Sequence, residues 1–154
     1  MHDEPWEVVM LGFNLMNQGA RKQLLPTTLD RGIGTLIMFA VRNVFSQPEN
    51  LAQTLRDLVA AGQLPDDLLA DTTPLGFLIH EGGAADITEA AYRYVMHQPG
   101  VNTVLFGTGS LEHLRTNVRS LTKPPLPQAD VDHLHTLFSH LTGVGLDLPD
   151  RKAG

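Results

Sequence analysis

Apolar positions along this chain follow two spacings in turn. Glu7–Phe13 (EVVMLGF) and Gly34–Val41 (GTLIMFAV) are short runs apolar on both faces, the pattern of strands buried in a parallel sheet. Val101–Phe106 (VNTVLF) is a third, directly after Pro99-Gly100. Elsewhere the spacing widens to three and four. Leu51, Leu55, Leu58 and Val59 share a helical face, with Ser46-x-x-Glu49 as a capping box, Pro48 in the first turn and Gly62 as the stop. Asp86 and Glu89 open a helix whose apolar side is Ala90, Ala91, Tyr94 and Val95. A helix over about 110–120 places Leu111, Leu114, Val118 and Leu121 inward, and a last helix carries the stripe Val131, Leu134, Leu137, Phe138 and Leu141. Residues 17–29 read as a helix interrupted late by Pro26. Residues 63–85, with Pro65, Pro74, Gly76, Gly82 and Gly83, read as a long loop holding short ordered pieces.

Strands alternating with helices imply βαβ crossovers and a parallel sheet. Three strands in 154 residues are too few for an eight-stranded (β/α)₈ barrel, which takes about 250 residues. The pattern is that of about half of one.

Composition narrows the function classes. With 42% hydrophobic and 18% charged residues, the chain suits one core burying about 70% of its unfolded surface. A net charge of -6, with no basic stripe interleaved with aromatics, argues against nucleic acid as a partner. No apolar run reaches the roughly 18 residues of a membrane span. Met1–Trp6 is acidic and lacks a signal-peptide pattern, and the absence of cysteine excludes disulfides and thiolate metal sites. A cytoplasmic protein is expected.

The chemistry concentrates where the third strand meets Gly107-Thr108-Gly109-Ser110 and the helix beyond. A glycine-bearing turn at a helix mouth leaves backbone N–H groups free, the helix dipole adds positive potential, and Thr108 and Ser110 add hydroxyls. Such a place suits a phosphate. On local pattern alone an anion site and a plain capped turn fit equally, because the third glycine of G-x-G-x-x-G and a following Gly-Lys-Ser/Thr are both missing. Arg42 follows the second strand, where a pyrophosphate contact and a surface salt bridge fit equally.

The stretch Pro99–Val118 (PGVNTVLFGTGSLEHLRTNV) resembles the last strand and following helix of the aldo/keto reductase family. ITEAAYRYVMHQPGV resembles the helix before that strand, and WEVVMLGFNLMNQGAR and GIGTLIMFAVR the sixth and seventh strands with their neighbours. The resemblance covers about residues 6–140. It implies an α/β chain that is the C-terminal half of a (β/α)₈ barrel, about three parallel strands with flanking helices. Residues 1–142 would form the partial reductase domain and 143–154 a frayed C-terminal tail. It implies an NADP or NAD site holding the adenosine-phosphate end of the dinucleotide: Thr108 on the 2′-phosphate, Asn117 on the adenine edge, with Gly107, Gly109, Ser110, His113 and Arg42 around them. Gly107 stands where many members have lysine and His113 where many have arginine, which weakens the expectation of NADP over NAD. Thr116 replaces a frequent glutamate. Met10 takes the slot of a glutamine that bonds the nicotinamide amide, and Met38 that of an aromatic stacked on its ring; in a buried strand both read first as core.

The family's carbonyl chemistry uses a tyrosine, lysine, aspartate and histidine from the first half of the barrel, which this sequence does not contain. No catalytic residue is therefore expected here, and Tyr92 and Tyr94 read as packing on an outer helix. The expected partners are the dinucleotide and, through the strand edge and interior that a half barrel exposes, a second copy or an N-terminal half. His133 and His135 point to different sides of a helix, and His133 and His140 share a face but sit two turns apart, so they read as solvated rather than metal-binding; Asp66-Asp67 and Asp147/Asp150 read as loop acids.

Overall fold

The computed structural model describes residues 6–70 and 73–146. Three parallel strands, β1 (Val8–Gly12), β2 (Gly34–Met38) and β3 (Thr103–Val104), form one sheet in the order β1-β2-β3. Helices α1 (Gly19–Lys22) and α2 (Leu24–Asp30) join the first two strands. Helices α3 (Asn43–Ser46), α4 (Pro48–Ala60) and α5 (Ile87–Met96) lie between the second and third. Helices α6 (Leu111–Thr122) and α7 (Gln128–Phe138) follow. The expected three-stranded parallel α/β arrangement is present.

The sheet is buried on one face only. Val9, Leu11, Thr35, Ile37 and Val104 turn toward the helices and the core of Phe13, Leu25, Leu55, Tyr94, Leu134 and Phe138. On the opposite face Met10 pairs with Leu36 and Leu36 with Thr103, and there Val8 is 54% and Met10 51% exposed. Strands apolar on both faces predict burial on both; here no second layer among the described residues covers that face, and Val8 and Met10 stand exposed. Met10 is therefore not core, contrary to expectation.

Side chains explain the short third strand. Asn102 Oδ1 accepts from Thr35 N–H at 2.9 Å, and Asn102 N–H donates to Thr35 Oγ1 at 3.0 Å. Thr35 Oγ–H donates to the Gly100 carbonyl at 2.7 Å. An amide and a hydroxyl thus replace ladder bonds at the strand's entry, and backbone pairing resumes with Leu105 N–H to the Ile37 carbonyl at 2.9 Å.

Three local expectations are corrected. Residues 17–29 are two helices, parted at Gln23, and Pro26 falls in the first turn of α2, where it removes no helical donor. Ser46 does not cap α4: it ends α3, and Gln47 is the N-cap without a side-chain bond. Leu111, Leu114 and Val118 are exposed rather than inward.

The other caps form as read, with Asp86 accepting from Glu89 N–H at 2.8 Å. The long loop holds two single 3₁₀ turns, Asp66–Leu69 and Gly76–Leu78, and sends Leu64, Leu75 and Leu78 into the core. The tail's first residues are held, not frayed. Buried Asn14 donates to the Val144 and Gly145 carbonyls, and Asn17 Oδ1 accepts from Gly143 N–H at 3.0 Å. Asp147, Asp150 and the rest of the tail lie outside the described residues.

Candidate functional site

At the C-terminal ends of β2 and β3 the chain leaves a crevice of about 810 Å³. In parallel α/β sheets this is the end where ligands bind, because successive helices begin there with their free amides facing one another. One wall is the 38–43 segment with Met38, Phe39, Arg42 and Asn43; the other is Leu105–Thr108 with His113, Thr116 and Asn117. Tyr92 and Asp86 line it as well.

Five of the seven expected cofactor residues, Arg42, Gly107, Thr108, His113 and Asn117, border this one space. Gly109 and Ser110 do not. Their turn is occupied with its own capping: Ser110 N–H donates to Thr108 Oγ1 at 3.1 Å, and His113 N–H donates to Ser110 Oγ at 3.3 Å. Both hydroxyls thus serve the helix end first. Among the described residues the amides of Gly107, Thr108 and Gly109 have no protein partner, so part of the donor set expected for an anion remains.

Phe39 was not foreseen as part of a site. It closes β2 with φ of 65°, a left-handed conformation that costs a non-glycine residue about 1 kcal/mol or more. In sequence it sits inside an apolar run and reads as one more strand residue. Its ring lies under the guanidinium of Arg42.

A model of the aldo/keto reductase family matches residues 3–138. The chain belongs to the aldo/keto reductase family. Among solved structures, aldo-keto reductase AKR11C1 from Bacillus halodurans in its apo form matches with a TM-score of 0.61 at 19% identity, over 91% of this chain and 46% of that one. Its holo form matches at 0.53 and 17%, over 90% and 45%. An aldo/keto reductase from Klebsiella pneumoniae, solved in complex with NADP and acetate, matches at 0.56 and 18%, over 85% and 39%. These likenesses establish the fold. A search of curated proteins finds no match. The chain spans less than half the length of these structures.

Within this aldo/keto reductase chain, Met38 is half-buried at the crevice wall; Met10 lies on the same face of the sheet, exposed, and does not border the crevice. Tyr92 meets Phe106 edge-on at 6.0 Å, and burial pushes its hydroxyl up to about 12. Tyr94 is packed against Phe13 and His135. The three spaced histidines are not uniformly solvated. His133 lies 4.3 Å from Phe77, His140 Nε2 contacts the Gln63 carbonyl at 2.7 Å, and His135 is half-buried. Among the described residues no three His, Asp or Glu side chains are grouped to hold a metal, and no helix is long and apolar enough to cross a membrane.

Proposed function

We propose that the crevice holds the adenosine-phosphate end of NADP or NAD, and that this chain is the C-terminal half of a (β/α)₈ barrel whose reductase chemistry depends on the other half. The observation that carries this reading is the meeting of Arg42, Gly107, Thr108, His113 and Asn117 at one crevice beyond the strands' C-terminal ends. The donor set fits the group. Unpartnered amides at Gly107–Gly109 suit phosphate oxygens, and the Asn117 carboxamide suits a purine edge, which presents both a donor and an acceptor. Fixed positive charge is scarce where a 2′-phosphate would sit, since Gly107 and His113 stand where many family members carry lysine and arginine. That leaves NADP without a built-in advantage over NAD.

The dinucleotide would supply hydride for the reversible reduction of an aldehyde or ketone to an alcohol. The residues here would bind and orient it. None is assigned to proton transfer: the Tyr92 hydroxyl is shifted upward by burial, away from the range a general acid needs. The isolated chain is therefore read as a cytoplasmic binder without turnover. Titrating it with NADPH and with NADH, while following nicotinamide fluorescence and Tm, tests this. No response to either would remove the binding reading, and carbonyl-dependent oxidation of NADPH by the chain alone would overturn its inactivity.

A second reading, of a structural half completed by a partner, is supported by the open sheet face. Val8, Met10 and Leu105 are exposed there, and Leu111, Leu114 and Val118 are exposed on α6. Three strands leave five of a barrel's eight to be supplied, which favours a complementary half over a second copy. A chain that sediments as a stable monomer at high concentration would count against it.

A further inference from the structure

Folded proteins leave few buried polar side-chain atoms without a hydrogen-bond partner. Among the described residues there are four: Gln18 Oε1, Arg21 Nε, the Tyr94 hydroxyl and His135 Nε2. They come from one region. Gln18 is the N-cap of α1 and Arg21 lies one turn on, its amide donating to the Gln18 carbonyl at 3.0 Å. Gln18 Nε2 donates to the Leu15 carbonyl at 2.7 Å and the Leu134 carbonyl at 3.0 Å, which ties the amide to the backbone of α7 one residue before His135 and commits its nitrogen. The His135 ring meets Tyr94 edge-on with centroids 5.9 Å apart. The charge of Arg21 acts on both Tyr94 and His135. Gln18 and Tyr94 are fully buried.

The four atoms are complementary in kind. Arg21 Nε only donates and Gln18 Oε1 only accepts. The Tyr94 hydroxyl donates, and Nε2 of a neutral His135 with its proton on Nδ1 accepts. Two donors and two acceptors are what one water molecule satisfies. An anion would face the Gln18 oxygen and the imidazole lone pair; a cation would face the guanidinium. We propose that Gln18, Arg21, Tyr94 and His135 form an internal binding site for a single water molecule that joins α1, α5 and α7. Such a water completes the bonding of polar groups that would otherwise oppose packing of these helices.

The test turns on a sign. Removing an orphaned buried hydroxyl raises stability or leaves it unchanged, whereas removing one bonded to an internal water lowers it. Tyr94→Phe in the full chain is expected to lower Tm by about 2–4 °C. ¹⁵N spectra of the unsubstituted chain are expected to show His135 as the Nδ1–H tautomer. A high-resolution crystal structure is expected to show one peak within hydrogen-bond distance of all four atoms. A raised or unchanged Tm, the Nε2–H tautomer, or a direct bond between Tyr94 and His135 without that peak would each overturn the site. If Tyr94→Phe fails to fold, the spectra and the crystal structure of the unsubstituted chain decide.

Discussion

The guanidinium carbon of Arg42 stands 5.2 Å from the centre of the Phe39 ring. The pairing couples a charge to a strained backbone, because Phe39 holds its left-handed conformation at the point where β2 ends. An aromatic face under a cation contributes roughly 0.5–1 kcal/mol at an exposed position. That offsets part of the local strain and keeps the cation at the crevice wall. The wall is thus shaped by an unusual backbone conformation as well as by residue type.

Gly107 is the position where a lysine changes cofactor preference most directly. A Cβ there meets open space, and the backbone is not in the left-handed region, so the side chain fits without strain. Gly107→Lys is expected to strengthen NADPH binding about five-fold relative to NADH, roughly 1 kcal/mol for a charge pair at a wet surface. Calorimetric titration with the two dinucleotides measures the ratio, and an equal change in both would remove the 2′-phosphate from this corner.

Gly100 is the position least tolerant of a side chain. Its φ is +89°, and a Cβ would stand 2.5 Å from the Leu25 carbonyl oxygen. Gly100→Ala must strain the backbone and push α2 away, at a cost of about 3 kcal/mol or more. Urea unfolding monitored by circular dichroism reads this as a lower midpoint. A change under about 0.5 kcal/mol, the scale of an ordinary surface substitution, would contradict the close approach.

Glu89 bridges Arg93 at 3.0 Å and Lys123 while itself buried. Burial alone would raise its pKa, but the bonds from Lys123 and Arg93 outweigh that and hold it below the usual value of 4.5. A depressed acid contributes stability that is complete above the unfolded pKa and lost as pH falls through the folded one. Glu89→Gln leaves Arg93 buried without its counter-charge and is expected to cost about 3 kcal/mol at neutral pH. Its acid unfolding below about pH 4.5 should be shallower than the parent's. An identical acid limb in both proteins would show that the carboxylate does not set it.

His135 makes stability depend on pH at a higher window. Burial, and then the charge of Arg21, lower its pKa below 6.5, with Asp132 opposing; Tyr94 is the other titratable group against it. The unfolded chain binds this proton more readily, so the contribution is complete above pH 6.5 and lost as pH falls below it. Thermal melts between neutral and mildly acid pH should show Tm falling, with a smaller fall in His135→Gln. Parallel curves for the two proteins would assign the effect elsewhere.

The strands and several helices were legible because each rests on a local signal: the continuous apolar runs of β1 and β2, Pro48 in the first turn of α4, the Asp86 cap of α5 and the Pro99-Gly100 stop after it. What was not legible depends on neighbours. Ser46 has the spacing of a capping box, yet α3 claims it first. Leu111, Leu114 and Val118 have the period of a buried face, but a period records only that a surface is apolar and not whether another layer lies on it. The crevice was readable as residue types from 107 to 117 and at Arg42. The turn at Phe39 was not, because an apolar run carries no mark of where its backbone changes hand. Tyr92 reads as packing and is buried, but its place on the crevice wall follows from the third strand's position rather than from its own helix.

Buried Arg93 gathers the carbonyl of Gly83 at 2.6 Å, that of Pro124 at 2.8 Å and that of Pro125 at 3.0 Å, besides its bond to Glu89. Pro124 and Pro125 lie just past the C-terminal end of α6, the helix whose opposite end borders the crevice. Of its own residues α6 buries Ser120, yet it packs along α5, and Arg93 of α5 holds the chain just past its C-terminal end. A change at Arg93 is expected to shift the C-terminal end of α6 against α5, and Asn117 with it. Substitutions at that clamp should be felt at the crevice without touching it.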